Sequence, residues 1–127
     1  MEINGQQLLD MEQAIPALTQ FLLSKGEVML ARDLGLIYQK LQPAIATYSG
    51  IKLALLRQYG KEEKGQVTVQ YGTSEYQEYM KAMKPVLEKA EPFDVAPVKM
   101  PGRVLVGLPG IVFLTTLPLL EIENEQR

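Results

Sequence analysis

Between positions 27 and 59 the apolar residues Leu30, Leu34, Ile37, Leu41, Ala44, Tyr48, Ile51 and Leu55 recur at alternating steps of four and three. That spacing places them on one face of an α-helix, because 3.6 residues per turn returns every third or fourth side chain to the same side. Arg32, Asp33, Gln39, Lys40, Thr47, Lys52 and Arg57 fall off the stripe and are expected in water. At 1.5 Å per residue an unbroken helix here spans roughly 45–50 Å, longer than a small domain is wide. Another part of the chain, or another molecule, must cover its apolar face. Pro43 removes the hydrogen bond to the carbonyl of Gln39. It is expected to kink the helix rather than end it, since the stripe keeps its phase on both sides.

Upstream, positions 1–3 suggest a short strand, with Asn4-Gly5 as a turn signal. Leu8, Leu9, Met11, Ala14, Ile15, Leu18, Phe21 and Leu22 then follow helical spacing. Pro16 predicts a break in this first helix, and Lys25-Gly26 a stop, since glycine accepts the left-handed conformation that ends helices. Folded back on the long helix, this segment makes an antiparallel helical hairpin over 6–60.

Downstream, Gly60 closes the long helix and 61–65 reads as a charged loop. Gln66-Val67-Thr68-Val69-Gln70-Tyr71 alternates polar and apolar, the mark of a half-buried strand. Thr73 or Ser74 caps a third helix running to about Ala90, with Ser74 and Gln77 spaced as a capping box and Glu75 and Glu78 favourable to the helix dipole. Tyr76, Tyr79, Met80, Met83, Val86 and Leu87 form its apolar face, and Pro85 predicts a bend. Pro92 and Pro97 flank an extended Phe93-Asp94-Val95. The last third, punctuated by Pro101-Gly102 and Pro109-Gly110, reads as short strands near 98–100, 104–106, 111–114 and 117–121, or one single-turn helix. The acidic tail from 121, and 123–127 above all, is expected to fray. The expected fold is therefore a single α+β domain over 1–127. It comprises the helical hairpin with one long kinked helix, a third helix, and a small β-sheet within a mixed portion over 66–122.

Composition narrows the chemistry. Of 127 residues none is histidine or cysteine, and the net charge is −2. The commonest general base, the commonest metal ligand and all thiolate chemistry are thereby missing. Ser24, Ser49 and Ser74 do not lie in a nucleophile turn. The acidic clusters Glu62-Glu63, Glu75 with Glu78, and Glu88 with Glu91 and Asp94 lack the spacing of a calcium loop. The loop 59–65 has glycines and lysines without the Gly-Lys-Ser/Thr ending of a phosphate cradle. The expectation is a protein that is not an enzyme and takes no cofactor or metal. The first residues carry no basic and apolar leader, which leads us to expect a cytoplasmic protein. Residues 104–120 are uncharged, but Gly107, Pro109, Gly110 and Pro118 interrupt them, favouring buried core over a membrane span.

What remains points to binding. Tyr38, Tyr48, Tyr59, Tyr71, Tyr76 and Tyr79 outnumber the other aromatics, and tyrosine suits a surface packed on one side and wet on the other. The long-helix residues Leu34, Tyr38, Leu41, Ile45 and Tyr48 are the candidate partner-binding set. A second set, Lys52, Arg57, Lys61 and Lys64, with Tyr59 and Tyr71 able to stack on bases, is the candidate for nucleic acid. The acidic net charge and the natural preference for cations at a helix C-terminus weigh against it.

The layout as a whole carries a resemblance. A leucine-rich first helix leads to a long helix ending in Leu56-Arg57-Gln58-Tyr59-Gly60. A charged turn follows, then a helix with Glu75-Tyr76 and Tyr79. The close runs through Leu108-Pro109-Gly110 to Leu117-Pro118-Leu119-Leu120-Glu121. In this the chain resembles small phage- and prophage-encoded proteins of unassigned function found among virion and tail-assembly genes. The resemblance implies a protein that binds others, whether a second copy of itself, a virion protein or a host factor. It would act in the host-cell cytoplasm or on the virion, and no catalytic residues carry over.

Overall fold

The computed structural model describes residues 1–123. A short strand β1 (Glu2–Asn4) leads directly into helix α1 (Gly5–Ser24). Asn4 is the N-cap rather than part of a turn. Its side chain accepts from Gln7 N at 2.8 Å, and its own N–H donates to Gln7 Oε1 at 2.9 Å. This reciprocal box satisfies two of the free donors of the first turn.

The break expected at Pro16 does not occur, and α1 is continuous through it. The proline ring is on the solvent side, and the carbonyl it orphans, that of Glu12, is reached from another helix by the Tyr38 hydroxyl at 3.5 Å. Helix α2 (Val28–Tyr59) likewise runs unbroken through Pro43. Leu8, Met11, Ile15, Leu18 and Leu22 of α1 interleave with Ala31, Leu34, Ile37, Leu41, Ile45 and Tyr48 of α2, all buried. These are the a/d-like positions of both stripes, so each helix is the cover the other needs.

The two helices differ in length. The 20 residues of α1 and the 32 of α2 give about 30 and 48 Å at the helical rise. Burial on α2 accordingly stops at Tyr48. Beyond it, helix α3 (Ser74–Glu88) takes over as neighbour. Thr73, not Ser74, caps it, accepting from Tyr76 N at 3.1 Å, and Pro85 is accommodated within it. Where α3 crosses the start of α1, a Cβ on Gly5 would lie 2.0 Å from the carbonyl oxygen of Val86, so only glycine permits that approach.

Between α2 and α3 the segment expected as a charged loop is half of a hairpin. Strands β2 (Lys61–Glu63) and β3 (Gln66–Thr68) pair antiparallel, with Glu62 opposite Val67. Lys64 (φ 52°) and Gly65 (φ 78°) supply the two left-handed central residues of a tight hairpin turn. The expected strand thus ends at Thr68 instead of Tyr71.

Strand β4 (Ala90–Pro92) returns to β1, with Ile3 opposite Glu91. Strand β5 (Val98–Pro101) pairs parallel to β6 (Leu120–Glu123), with Met100 opposite Ile122. A parallel pair needs a crossover. Here it consists of a 3-10 turn (Gly102–Leu105), helix α4 (Gly110–Thr116) and a second 3-10 turn (Leu117–Leu119). Of the segments expected as short strands or one single-turn helix, 104–105 and 111–114 are helical and Val106 lies in a turn. Residues 121–123, expected to fray, are held in β6, and 124–127 lie outside the described residues. The strands form three two-stranded ribbons rather than one sheet, within an α+β fold. Val104, Leu105 and Leu119 are buried in the same core as the helical hairpin. Among the described residues no helix is long and apolar enough to cross a membrane.

Candidate functional site

The long-helix face expected to meet a partner is occupied within the chain. Leu34, Leu41 and Ile45 are at most 1 % exposed, and Tyr48 is buried in the same core, with Glu91 of β4 beside its hydroxyl. A partner reaches these four only by displacing α1. Tyr38 alone of the set is half-buried, its hydroxyl directed at the Glu12 carbonyl.

The basic set is not gathered into one surface. Lys61 shares a hollow of about 550 Å³ with Glu63 and Glu75 at the far end of α2. The Glu75 carboxyl is held below its usual range by its own backbone N–H and the Ser74 hydroxyl, with Thr73 and Lys61 assisting. Lys64 sits in the hairpin turn beside Glu62 and Glu63, and Arg57 is exposed on α2. Lys52 belongs elsewhere. Cations and acids alternate at this end, which is the reverse of a phosphate-tracking stripe.

Lys52 instead borders a groove on the side of α1 turned away from the buried seam. Leu9, Asp10, Gln13, Ala14 and Ala17 line it from α1, and Ile111, Val112 and Thr115 from α4, around a volume of about 570 Å³. Over Leu9, Asp10 and Lys52 it continues into a second recess of about 220 Å³, which Tyr79, Met80, Met83 and Leu87 of α3 line from the other side. Helical spacing explains the floor: positions 9, 13 and 17 and positions 10 and 14 are one turn apart along one flank of α1. Alanines at 14 and 17 keep the floor low, while α3 and α4 stand up on either side.

The groove mixes apolar and polar lining, with two charges at its middle. Ile111 is 75 % exposed and Met80 39 %. Asp10 accepts from Gln6 Nε2 at 3.0 Å, and among the described residues neither Asp10 nor Lys52 belongs to an ion pair. Elsewhere burial, helped by the Glu91 carboxylate, raises the Tyr48 hydroxyl above its ordinary range, and burial raises Tyr79. Both are features of packing. Among the described residues no three of Asp, Glu, His or Cys converge as a metal site.

Sequence reasoning found Lys52 for another purpose and missed the rest of the groove. The signal available was the pair Ala14 and Ala17, small residues on the flank of a helix that otherwise carries Leu, Met and Ile. No family model, no curated protein sequence and no solved structure matches the chain.

Proposed function

We propose that this protein is a non-enzymatic binding module that receives a helical segment of another protein in the groove between α3 and α4. The observation that carries the reading is the groove itself. It is open, floored by alanines and walled by the exposed Ile111, with Met80 bounding the adjoining recess, which is the relief that a helix docking by its apolar face requires. Its volume lies in the range of binding sites, and exposed apolar side chains around a concavity are costly unless something covers them. The resemblance in layout supports a phage-encoded role, in virion assembly or in binding a host factor, within the host cytoplasm or on the particle.

The test is Ile111→Asp, which puts a charge on the groove wall without touching the core. Association, followed by solution mass or by capture of the partner, is expected to be lost while unfolding stays cooperative. Association that survives this substitution unchanged would remove the groove from consideration.

A further inference from the structure

We infer that the helix received by the groove carries one cation and one anion at the middle of its docked face, with apolar side chains toward either end. The inference rests on the groove reading above and states the chemistry of its occupant. The α1 floor runs from Ala17 and Ala14 in the larger recess to Gln6 in the smaller, and Leu9, Asp10 and Lys52 line both where they meet. At the helical rise that floor is about 16 Å long, room for about three turns of a docked helix. Apolar side chains stand at both ends: Ile111 and Val112 of α4 at one, Met80 and Leu87 of α3 at the other. The middle is charged. Asp10 of α1 and Lys52 of α2 are both exposed, and among the described residues they pair neither with each other nor with another charge. Water satisfies them while the groove is open. An apolar helix laid over them strips that water, and a covered charge without a counter-charge opposes docking. A cation opposite Asp10 and an anion opposite Lys52 replace the water with charge-assisted hydrogen bonds. A helix of one sign, a nucleic acid or an anionic lipid surface would meet one opposite charge and one like charge. Positions i, i+3, i+4 and i+7 share one face of a helix. Apolar anchors at i and i+7 then fall toward the two ends, and charges at i+3 and i+4 lie side by side at the junction.

The test is a selection from a yeast-displayed library of helical peptides with leucine at i and i+7, and with Glu, Lys or Ala allowed at i+3 and i+4. It is run against wild type, Asp10→Lys and Lys52→Asp. Both substituted positions are exposed, and circular dichroism confirms that each variant is folded. Wild type is expected to enrich one Glu with one Lys. Asp10→Lys makes the junction wholly cationic and is expected to enrich two Glu. Lys52→Asp makes it wholly anionic and is expected to enrich two Lys. A peptide selected on wild type is expected to bind either variant about tenfold more weakly or worse, the difference shrinking at high salt. Alanine at both positions from wild type, or the same pairs from all three proteins, would overturn the inference. The groove reading fails by a different result. Peptides whose binding survives Ile111→Asp unchanged sit elsewhere on the molecule. Binding that Ile111→Asp abolishes but that shows no charge preference keeps the groove and removes only the charge rule. A wild-type selection that enriches nothing removes both.

Discussion

The Tyr38 hydroxyl donates to the backbone carbonyl of Glu12 across the helical hairpin, at 3.5 Å. That carbonyl lies four residues before Pro16 and has no N–H to accept from within its own helix. A long, neutral hydrogen bond of this kind contributes little, about 0.5–1 kcal/mol at most. Tyr38→Phe is therefore expected to cost under about 1 kcal/mol in urea unfolding, whereas Leu41→Ala, which empties a fully buried site, is expected to cost about 2–5 kcal/mol. Equal losses would mean that the Tyr38 ring belongs to the buried seam.

The glycines of the helices divide by what surrounds them. A Cβ at Gly5 would collide with the Val86 backbone, while at Gly35 and Gly50 in α2 it would meet nothing within 4 Å. Gly5→Ala is expected to destabilise by about 1–3 kcal/mol, as α1 and α3 are pushed apart. Gly35→Ala and Gly50→Ala are each expected to stabilise by about 0.5–1 kcal/mol, through helix propensity alone. Opposite signs for one substitution at three helical positions can be read from denaturant midpoints.

Alkaline pH should expose the buried phenols. Tyr48 and Tyr79 both titrate above the usual tyrosine value in the folded protein, so the unfolded chain loses these protons first. Their contribution is fully present below the unfolded value, about 10, and is lost as pH rises through the folded values. Through these groups stability should not vary with pH near neutrality and should decline in the alkaline range. Glu91→Gln removes the charge that assists burial in raising Tyr48. Phenolate absorbance should then show an earlier alkaline step than in wild type, and an unmoved step would separate Glu91 from Tyr48.

Lys64 occupies a left-handed conformation, φ 52°, that costs a side-chain-bearing residue about 1–2 kcal/mol. Lys64→Gly is expected to strengthen the β2–β3 hairpin locally. Slower amide exchange at Glu63 and Gln66, with the global midpoint shifted by less, is the expected reading. Faster exchange would show that the turn needs the lysine side chain.

The helices were legible because their stripes are periodic, and Leu34, Leu41, Ile45 and Tyr48 were identified as apolar positions needing cover. What covers them was not legible. Periodicity states that a face is buried and is silent on whether α1 or another molecule buries it. Pro16 misled for a related reason, since its compensation comes from Tyr38, distant in sequence. The β2–β3 hairpin was hidden by composition: Lys61, Glu62 and Glu63 lack the apolar alternation of a half-buried strand, and the turn at Lys64-Gly65 specifies the pairing. The groove could not be found in any single stretch, because α1, α3 and α4 each supply one side. Only Ala14 and Ala17 hinted at close approach.

The parallel pairing of β5 with β6 has a consequence for how the molecule assembles and breathes. The α1–α2 hairpin turns within a few residues and forms from local contacts, which close quickly. The pairing of β1 with β4 waits until nearly 90 residues are gathered, by the register of Ile3 with Glu91. Helix α4 is carried on the crossover between β5 and β6, and its seven residues bury only Thr116 among them. The floor of the groove thus forms early from local contacts, while its α4 wall is set only when the β5–β6 crossover closes. A protein seated there would act as a clasp, slowing hydrogen exchange in a segment that it touches on one side only and raising the melting temperature with its concentration.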